Sequence, residues 1–247
     1  MKVIILAGGL GSRISEYTKT IPKPMIKIDK IPILLHIMKI YINYGHTNFY
    51  IAGGYKKDII EKYFRNFKKN GEEFEQILFK KKCCINILNT GLKSMTGGRL
   101  KRVAQYIQKD ENFMFTYGDG ISNINLLKLE KFHKYNKKII TVTAVRPPAR
   151  FGELTVKNKI VTKFLEKPQV NSGWINGGFF VANKKIFKFI KNDRSILEKE
   201  PLEKLAKIKQ LLAFKHYGFW RCIDTKRDKD YLEELIKKKQ SFKHNVI

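Results

Sequence analysis

Short apolar runs rich in β-branched residues alternate with longer amphipathic runs from the first residues to Val145, and this alternation constrains the fold more than any other feature. Val3–Ala7 reads as a buried strand. Residues 32–44 (PILLHIMKIYINY) read as a helix with proline in its first turn and Gly45 past its end. A strand at 48–52, a helix at 56–67 with Ile59, Ile60, Tyr63, Phe64 and Phe67 at helical spacing, and a strand at 84–88 follow. Residues 98–108 place Leu100, Val103, Ala104 and Ile107 on one helical face, ahead of a strand at 113–117, a helix at 125–135 and a strand at 139–145. Such alternation predicts a mainly parallel sheet with helices on both faces, an α/β fold.

The rhythm changes after about residue 146. FGELTVKNKIVTKFLEKP has the form of a hairpin turning at 157–159, and WINGGFFVAN is a further strand. Helices are expected at 184–190 and 197–207, two strands within LLAFKHYGFWRCIDT, and a closing helix over 226–239. The expected organisation is one domain, 1–247, with the regular strand-helix part at 1–146 and a substrate-facing part at 147–247.

At 247 residues the chain can bury a sizeable core. It contains no apolar run of the ~18 residues a membrane span requires, and its opening apolar run is shorter than a signal-peptide core. Three cysteines, Cys83, Cys84 and Cys222, form neither a disulfide framework nor a zinc spacing, so a cytoplasmic protein without a membrane partner is expected. The formal net charge of +28 invites a nucleic-acid reading. Against it, 41 lysines stand beside 9 arginines, whereas base and phosphate readers favour arginine's planar fork. The chain also holds 31 isoleucines and 8 alanines, a bias that AT-rich codons produce along with lysine, and the basic residues are spread along its length. No nucleic-acid partner is expected.

The first strand runs into LAGGLGSR. Glycines at a strand's carboxyl end let the backbone approach a ligand and aim N–H groups at phosphate oxygens. The spacing is not a dinucleotide fingerprint, since Ile14 stands where the third glycine belongs, and no Gly-Lys-Ser/Thr follows as in a P-loop. Arg13 and Lys23 add two cations. Lys23 lies between Pro22 and Pro24, which predicts an extended, stiffened backbone under it. In TYGDG, Asp119 ends a strand between two glycines, as a turn residue or as a Mg²⁺ ligand. Asp224 ends FWRCID ahead of a helix, as a cap or as a second carboxylate. His36 on its apolar helix is expected in the core, Trp174 and Trp220 in packing roles, and Arg102 on a helix surface.

LAGGLGSR…PKPM, SMTGGRLKR, FTYGDG, FGELTV…FLEKP, INGGFFV and FW…DT occur in this order over residues 1–239. Together they resemble the sugar-nucleotide pyrophosphorylases, and SMTGGRLKR and INGGFFV resemble the cytidylyl branch most closely. The resemblance implies a Rossmann-like, GT-A-like nucleotidyltransferase fold with a sugar-binding region in the C-terminal half. It implies the reaction CTP + α-D-glucose 1-phosphate → CDP-glucose + pyrophosphate, with Mg²⁺ as cofactor, in a homo-oligomer, a hexamer being one form. It would place Leu6, Ala7, Gly8, Gly9, Gly11, Ser12, Arg13, Lys23, Ser94, Arg99 and Gly118 on the nucleotide, with Arg13 and Lys23 catalytic. Asp119 and Asp224 would hold the metal, and Glu166, Lys167, Asn176 and Gly177 the sugar phosphate. The segment 80–89 is shorter than in the family, and its usual Asp-Thr-Gly reads Asn89-Thr90-Gly91. The same chemistry with UTP, dTTP or another sugar phosphate, a non-catalytic sugar-nucleotide sensor, and a polyanion binder are the competing readings.

Overall fold

The computed structural model describes residues 1–65, 68–70, 73–147, 153–157, 159–165 and 173–238. Its centre is a nine-stranded sheet. In chain order its strands are β1 (Val3–Ala7), β2 (Asn48–Gly53), β3 (Lys68–Asn70), β4 (Glu73–Leu78), β5 (Lys81–Asn89), β6 (Asn112–Tyr117), β7 (Ile140–Val145), β8 (Ile175–Asn183) and β9 (Leu211–His216). In space the order is β9-β7-β8-β6-β1-β2-β5-β4-β3. β8 and β4 run against the other strands, so the sheet is mixed and mainly parallel, as expected.

β1 is buried along its whole length because both its faces are covered. Its odd residues, Val3, Ile5 and Ala7, join the core made with α1 (Ile33–Ile42). Its even residues, Ile4 and Leu6, join the opposite core with α3 (Thr96–Val103) and α5 (Glu200–Lys207). All of α1 except Lys39 is buried, which is why its sequence is apolar on every side. His36 lies in this core with its Nε2 3.0 Å from the Ile28 carbonyl, as expected. α2 (Lys57–Phe64), α4 (Leu126–Asn136) and α6 (Lys226–Lys237) complete the helical layers.

Several boundaries differ from the expected ones. Lys184–Phe189 is a 3₁₀ helix, and the helix expected from 98 to 108 ends as α-helix at Val103 and continues as 3₁₀ through Ile107. α5 begins at Glu200 rather than 197, because Pro201 is tolerated only in a first turn. The edge strand β3 and its neighbour β4 carry charged residues with no regular apolar alternation, and the sequence pattern does not predict them. The 153–165 hairpin is present as Glu153–Lys157 paired with Ile160–Leu165. Phe67 and Lys239, at the ends of two expected helices, lie outside the described residues.

The topology collects one edge of the sheet into a site. β1 lies between β6 and β2 in parallel register, with Leu6 opposite Tyr117 and Ala7 opposite Gly53, so the loops after β1 and β6 leave side by side. β8 is antiparallel to β6, with Phe179 opposite Thr116, so its first residues reach the same edge. A two-stranded ribbon pairs Gly120–Ser122 with Trp220–Cys222, Cys222 opposite Gly120, and the Ile223 N–H donates to the Asp119 carbonyl at 2.9 Å. That ribbon carries Asp224 to Asp119 from 105 positions further along the chain.

The buried His133 of α4 ties this helix to the sheet through Thr141 at 2.9 Å. Burial, with Lys134 beside it, pushes the imidazole down to about 4 from its ordinary 6.5. A group whose folded pKa is depressed below the unfolded value takes up its proton first in the unfolded chain. Stability is therefore lost as pH falls from about 6.5 toward 4. Denaturation at pH 5 should show the wild type losing about 1–2 kcal/mol relative to pH 7.5 through this group, a loss that His133→Gln reduces.

Candidate active site

The glycine loop leaves β1 under tight packing. A Cβ on Gly8 would lie 2.1 Å from an Arg99 guanidinium nitrogen, and Gly11 has the left-handed φ of 67° that turns the chain into the 3₁₀ turn Ser12–Ile14. The Thr18 hydroxyl donates to the Gly11 carbonyl at 3.0 Å and fixes the loop's far end. Lys23 begins a second 3₁₀ turn, Lys23–Met25, rather than the extended segment expected from its prolines. Pro24 falls in that turn's first positions, where its missing N–H costs nothing. The Met25 N–H reaches the Pro22 carbonyl at 2.8 Å and the Ile26 N–H reaches that of Lys23 at 3.1 Å.

This turn places the Lys23 ammonium between two carboxylates. Its Nζ lies 2.6 Å from Asp119 Oδ2 and 2.6 Å from Asp224 Oδ1. Arg13 reaches the other oxygen of Asp224 at 2.6 Å. Lys23 is only 9% exposed, and burial alone would lower its pKa. The charge of Asp119, with the hydrogen bonds to Asp119 and Asp224, outweighs burial and holds the ammonium above its ordinary value. Asp224 does not cap α6: Thr225 caps it, in a reciprocal capping box with Asp228, and leaves the Asp224 carboxylate free for the site. Cys222 lies beside the pair. Burial, then the charge of Asp119, pushes its thiol well above the usual range.

Around this cluster is a cavity of about 970 Å³. Its lining includes Leu6, Ala7, Gly8, Gly9, Gly11, Ser12, Arg13, Lys23, Ser94, Arg99, Gly118, Asp119, Asn176, Gly177 and Asp224. Glu166 and Lys167 lie outside the described residues. Arg99 contributes as an anchor: at 4% exposure its guanidinium donates to Thr90 Oγ1 at 2.9 Å and to the carbonyls of Gly53, Gly91 and Leu92. It stitches the ends of β2 and β5 beneath the glycine loop. Arg102 is on the helix surface, as expected, and pairs bidentately with Asp193.

Sequence reasoning missed the part that Tyr117, Glu198 and Thr96 play in one wall, and Trp220, expected to pack, also lines the cavity there. Glu198 accepts from the Tyr117 hydroxyl and, at 2.6 Å, from Thr96 Oγ1, while Asn176 Nδ2 donates to the Tyr117 oxygen at 3.2 Å. Trp220 lines the cavity and donates its indole N–H to the Gly177 carbonyl at 2.7 Å. Trp174 meets Tyr217 edge to face, with Arg146 and Lys215 over its ring. Glu198 lies in a segment that periodicity assigns to a helix, so no spacing singled it out. The loop carrying it docks on the two glycines of SMTGGR, where a Cβ on Gly98 would lie 2.3 Å from the Asp193 carbonyl oxygen.

The chain belongs to the nucleotidyl transferase family, whose model matches residues 2–243. It is 46% identical over 248 residues to the glucose-1-phosphate cytidylyltransferase of Salmonella typhimurium, with 96% of each chain covered. Among solved structures it is similar to HddC from Yersinia pseudotuberculosis, with a TM-score of 0.70 and 25% identity over 95% of this chain and 99% of that one. A UDP-glucose pyrophosphorylase complexed with UDP-glucose shares the fold at a TM-score of 0.71 and 19% identity, covering 97% of this chain and 99% of that one. The mixed, mainly parallel α/β architecture is thus that of the nucleotidyltransferases, and among the described residues no helix is long and apolar enough to cross a membrane.

Nucleotidyltransferases of this family use a divalent metal. The donor set here fits one: a carboxylate oxygen from Asp119, one from Asp224 and the Cys222 sulfur lie within 4.8 Å of one another. Two carboxylates completed by phosphate oxygens and water suit a small hard cation. In the structure the Lys23 ammonium is paired with both of these carboxylates and competes with a cation for them. Lys23→Met should therefore bind Mn²⁺ about tenfold or more tightly in the absence of nucleotide, read by equilibrium dialysis. Gly98→Ala should push the Glu198 loop off α3 and cost about 1–3 kcal/mol, read by urea denaturation.

Proposed function

We propose that the chain transfers a cytidylyl group from CTP to α-D-glucose 1-phosphate, giving CDP-glucose and pyrophosphate. The observation that carries this reading is the Lys23–Asp119–Asp224 cluster at the mouth of the glycine loop, in a chain 46% identical to a glucose-1-phosphate cytidylyltransferase. Residues 1–146 serve the nucleotide and 147–247 the sugar phosphate, within one unit. Mg²⁺ between Asp119 and Asp224 is the proposed cofactor. When bound, it neutralises phosphate charge and fixes the phosphates for in-line displacement.

The nucleophile is a phosphate oxygen of the sugar phosphate, ionised at neutral pH, so no general base is needed. It forms a bond to the α-phosphorus as the bond from that phosphorus to the β-phosphate's bridging oxygen breaks, and pyrophosphate leaves with the electron pair. Two anions must meet, and negative charge grows on the leaving group. Lys23, whose ammonium lies beside the two aspartates that would hold the metal, brings its charge to the α-phosphate. Arg13, which reaches out beside Asp224 with an exposed side chain, meets the departing pyrophosphate. The glycine loop supplies backbone N–H groups to the phosphates, and Arg99 keeps that loop rigid from below. On the other wall Asn176, braced by Tyr117 and Glu198, faces the sugar. Ser94, at the foot of the same cavity, contacts the nucleotide.

Pyrophosphate release should be fastest with CTP among labelled nucleoside triphosphates offered with glucose 1-phosphate. Preference for UTP or dTTP would move the reading to a sister activity. Lys23→Ala should lower kcat/KM by about 10²–10³-fold while the fold is retained by circular dichroism, and near-wild-type turnover would refute the proposed role of Lys23.

A further inference from the structure

We infer that Cys222 is a soft third ligand of the Asp119–Asp224 metal site, so that the site takes a thiophilic divalent cation such as Zn²⁺, Co²⁺ or Cd²⁺ through a metal–sulfur bond. The inference rests on the reading that the two aspartates hold a divalent cation. Cys222 ends the short strand whose partner, Gly120, directly follows Asp119, and Asp224 lies two residues beyond it. Its sulfur and one oxygen of each aspartate lie within 4.8 Å of one another, and its side chain lines the same cavity. None of the three cysteines is in a disulfide, and Cys83 is buried on β5, whose place in the sheet is two strands from β1.

The consequence follows from ligand chemistry. Mg²⁺ takes oxygen donors and leaves a thiol untouched, so with Mg²⁺ Cys222 is a neutral bystander. Zn²⁺, Co²⁺ and Cd²⁺ bind thiolate. The incoming dication displaces the Lys23 ammonium from the bay and the proton from the Cys222 sulfur. One metal–sulfur bond forms, one S–H bond breaks, and the proton goes to solvent with no change in oxidation state. Two carboxylates and one thiolate leave a fourth position open for water or a phosphate oxygen, the arrangement of a site with room for substrate. Cys222 thereby makes the metal preference of this chain softer than that of an all-carboxylate site.

The test uses the full chain, metal-free, in a non-thiol reductant. Cd²⁺ is titrated against the ultraviolet sulfur-to-cadmium charge-transfer band, and Mn²⁺ against its free-ion electron paramagnetic resonance signal. The wild type should develop the band with one Cd²⁺ per chain. Cys222→Ser and Cys222→Ala should lose it and bind Cd²⁺ at least about tenfold more weakly, since even indirect partners of a ligand are worth 10–100-fold. Both variants should keep Mn²⁺ binding, which also reports that the aspartates remain in place. Mn²⁺ binding by the wild type without a thiolate band, or a band that survives in both variants, overturns the inference and leaves the aspartate site standing. Loss of Mn²⁺ binding in both variants also overturns it, because Cys222 would then support the site's shape rather than its softness. Failure of the wild type to bind either cation overturns the inference together with the metal reading on which it rests.

Discussion

The two 2.6 Å ion pairs of the Lys23 ammonium are the contacts on which the site depends. They join a turn near the start of the chain to carboxylates 96 and 201 positions away. Removing an ammonium and two carboxylates from water is expensive, and such a cluster contributes little net stability. Its persistence depends on the elements beneath it. The parallel register of β1 with β6 fixes the spacing of Lys23's loop and Asp119. The ribbon between Gly120 and Cys222 fixes Asp224, and the Thr225–Asp228 capping box frees the Asp224 carboxylate. Charge that adds little to stability is held in place at the edge of the cavity, as the proposed phosphate and metal chemistry requires.

The second dependency runs through Arg99. Its guanidinium fills the space under Gly8 and Gly54 and satisfies carbonyls from β2 and the loop after β5. Glycine at both positions serves close packing, since a Cβ at Gly54 would lie 2.2 Å from the same guanidinium. The loop's backbone is held from below by a protein cation, which leaves its upper side open to the cavity. Fixed donors of this kind need little reorganisation when charge develops.

Much of this was legible in the sequence because the relevant patterns are local. The strand-helix periods marked β1, β2, β5, β6 and β7 and their covering helices, and the glycine loop followed by Arg13 and Lys23 marked an anion site. What periodicity could not carry was pairing. Nothing in the residues of β8 says that it runs antiparallel between β6 and β7, yet that reversal is what brings Asn176 and Gly177 to the site. The prolines around Lys23 predict an extended backbone, whereas Pro24 is compatible with a 3₁₀ turn because it falls in the turn's opening positions. The places of Glu198 and Cys222 at the cavity are not legible in the sequence because each reaches it only through a tertiary contact: Glu198 through the docking of its loop on α3, and Cys222 through the ribbon with Gly120.

The central claim is that Lys23 holds the metal's place until substrate arrives and then moves to the phosphates. A crystal structure of the chain with Mg²⁺ and a non-hydrolysable CTP analogue tests it most directly. The account predicts the cation between Asp119 and Asp224, with the Lys23 ammonium withdrawn from both and in contact with the α-phosphate. An ammonium still paired to both aspartates, with the nucleotide fully bound, would contradict it.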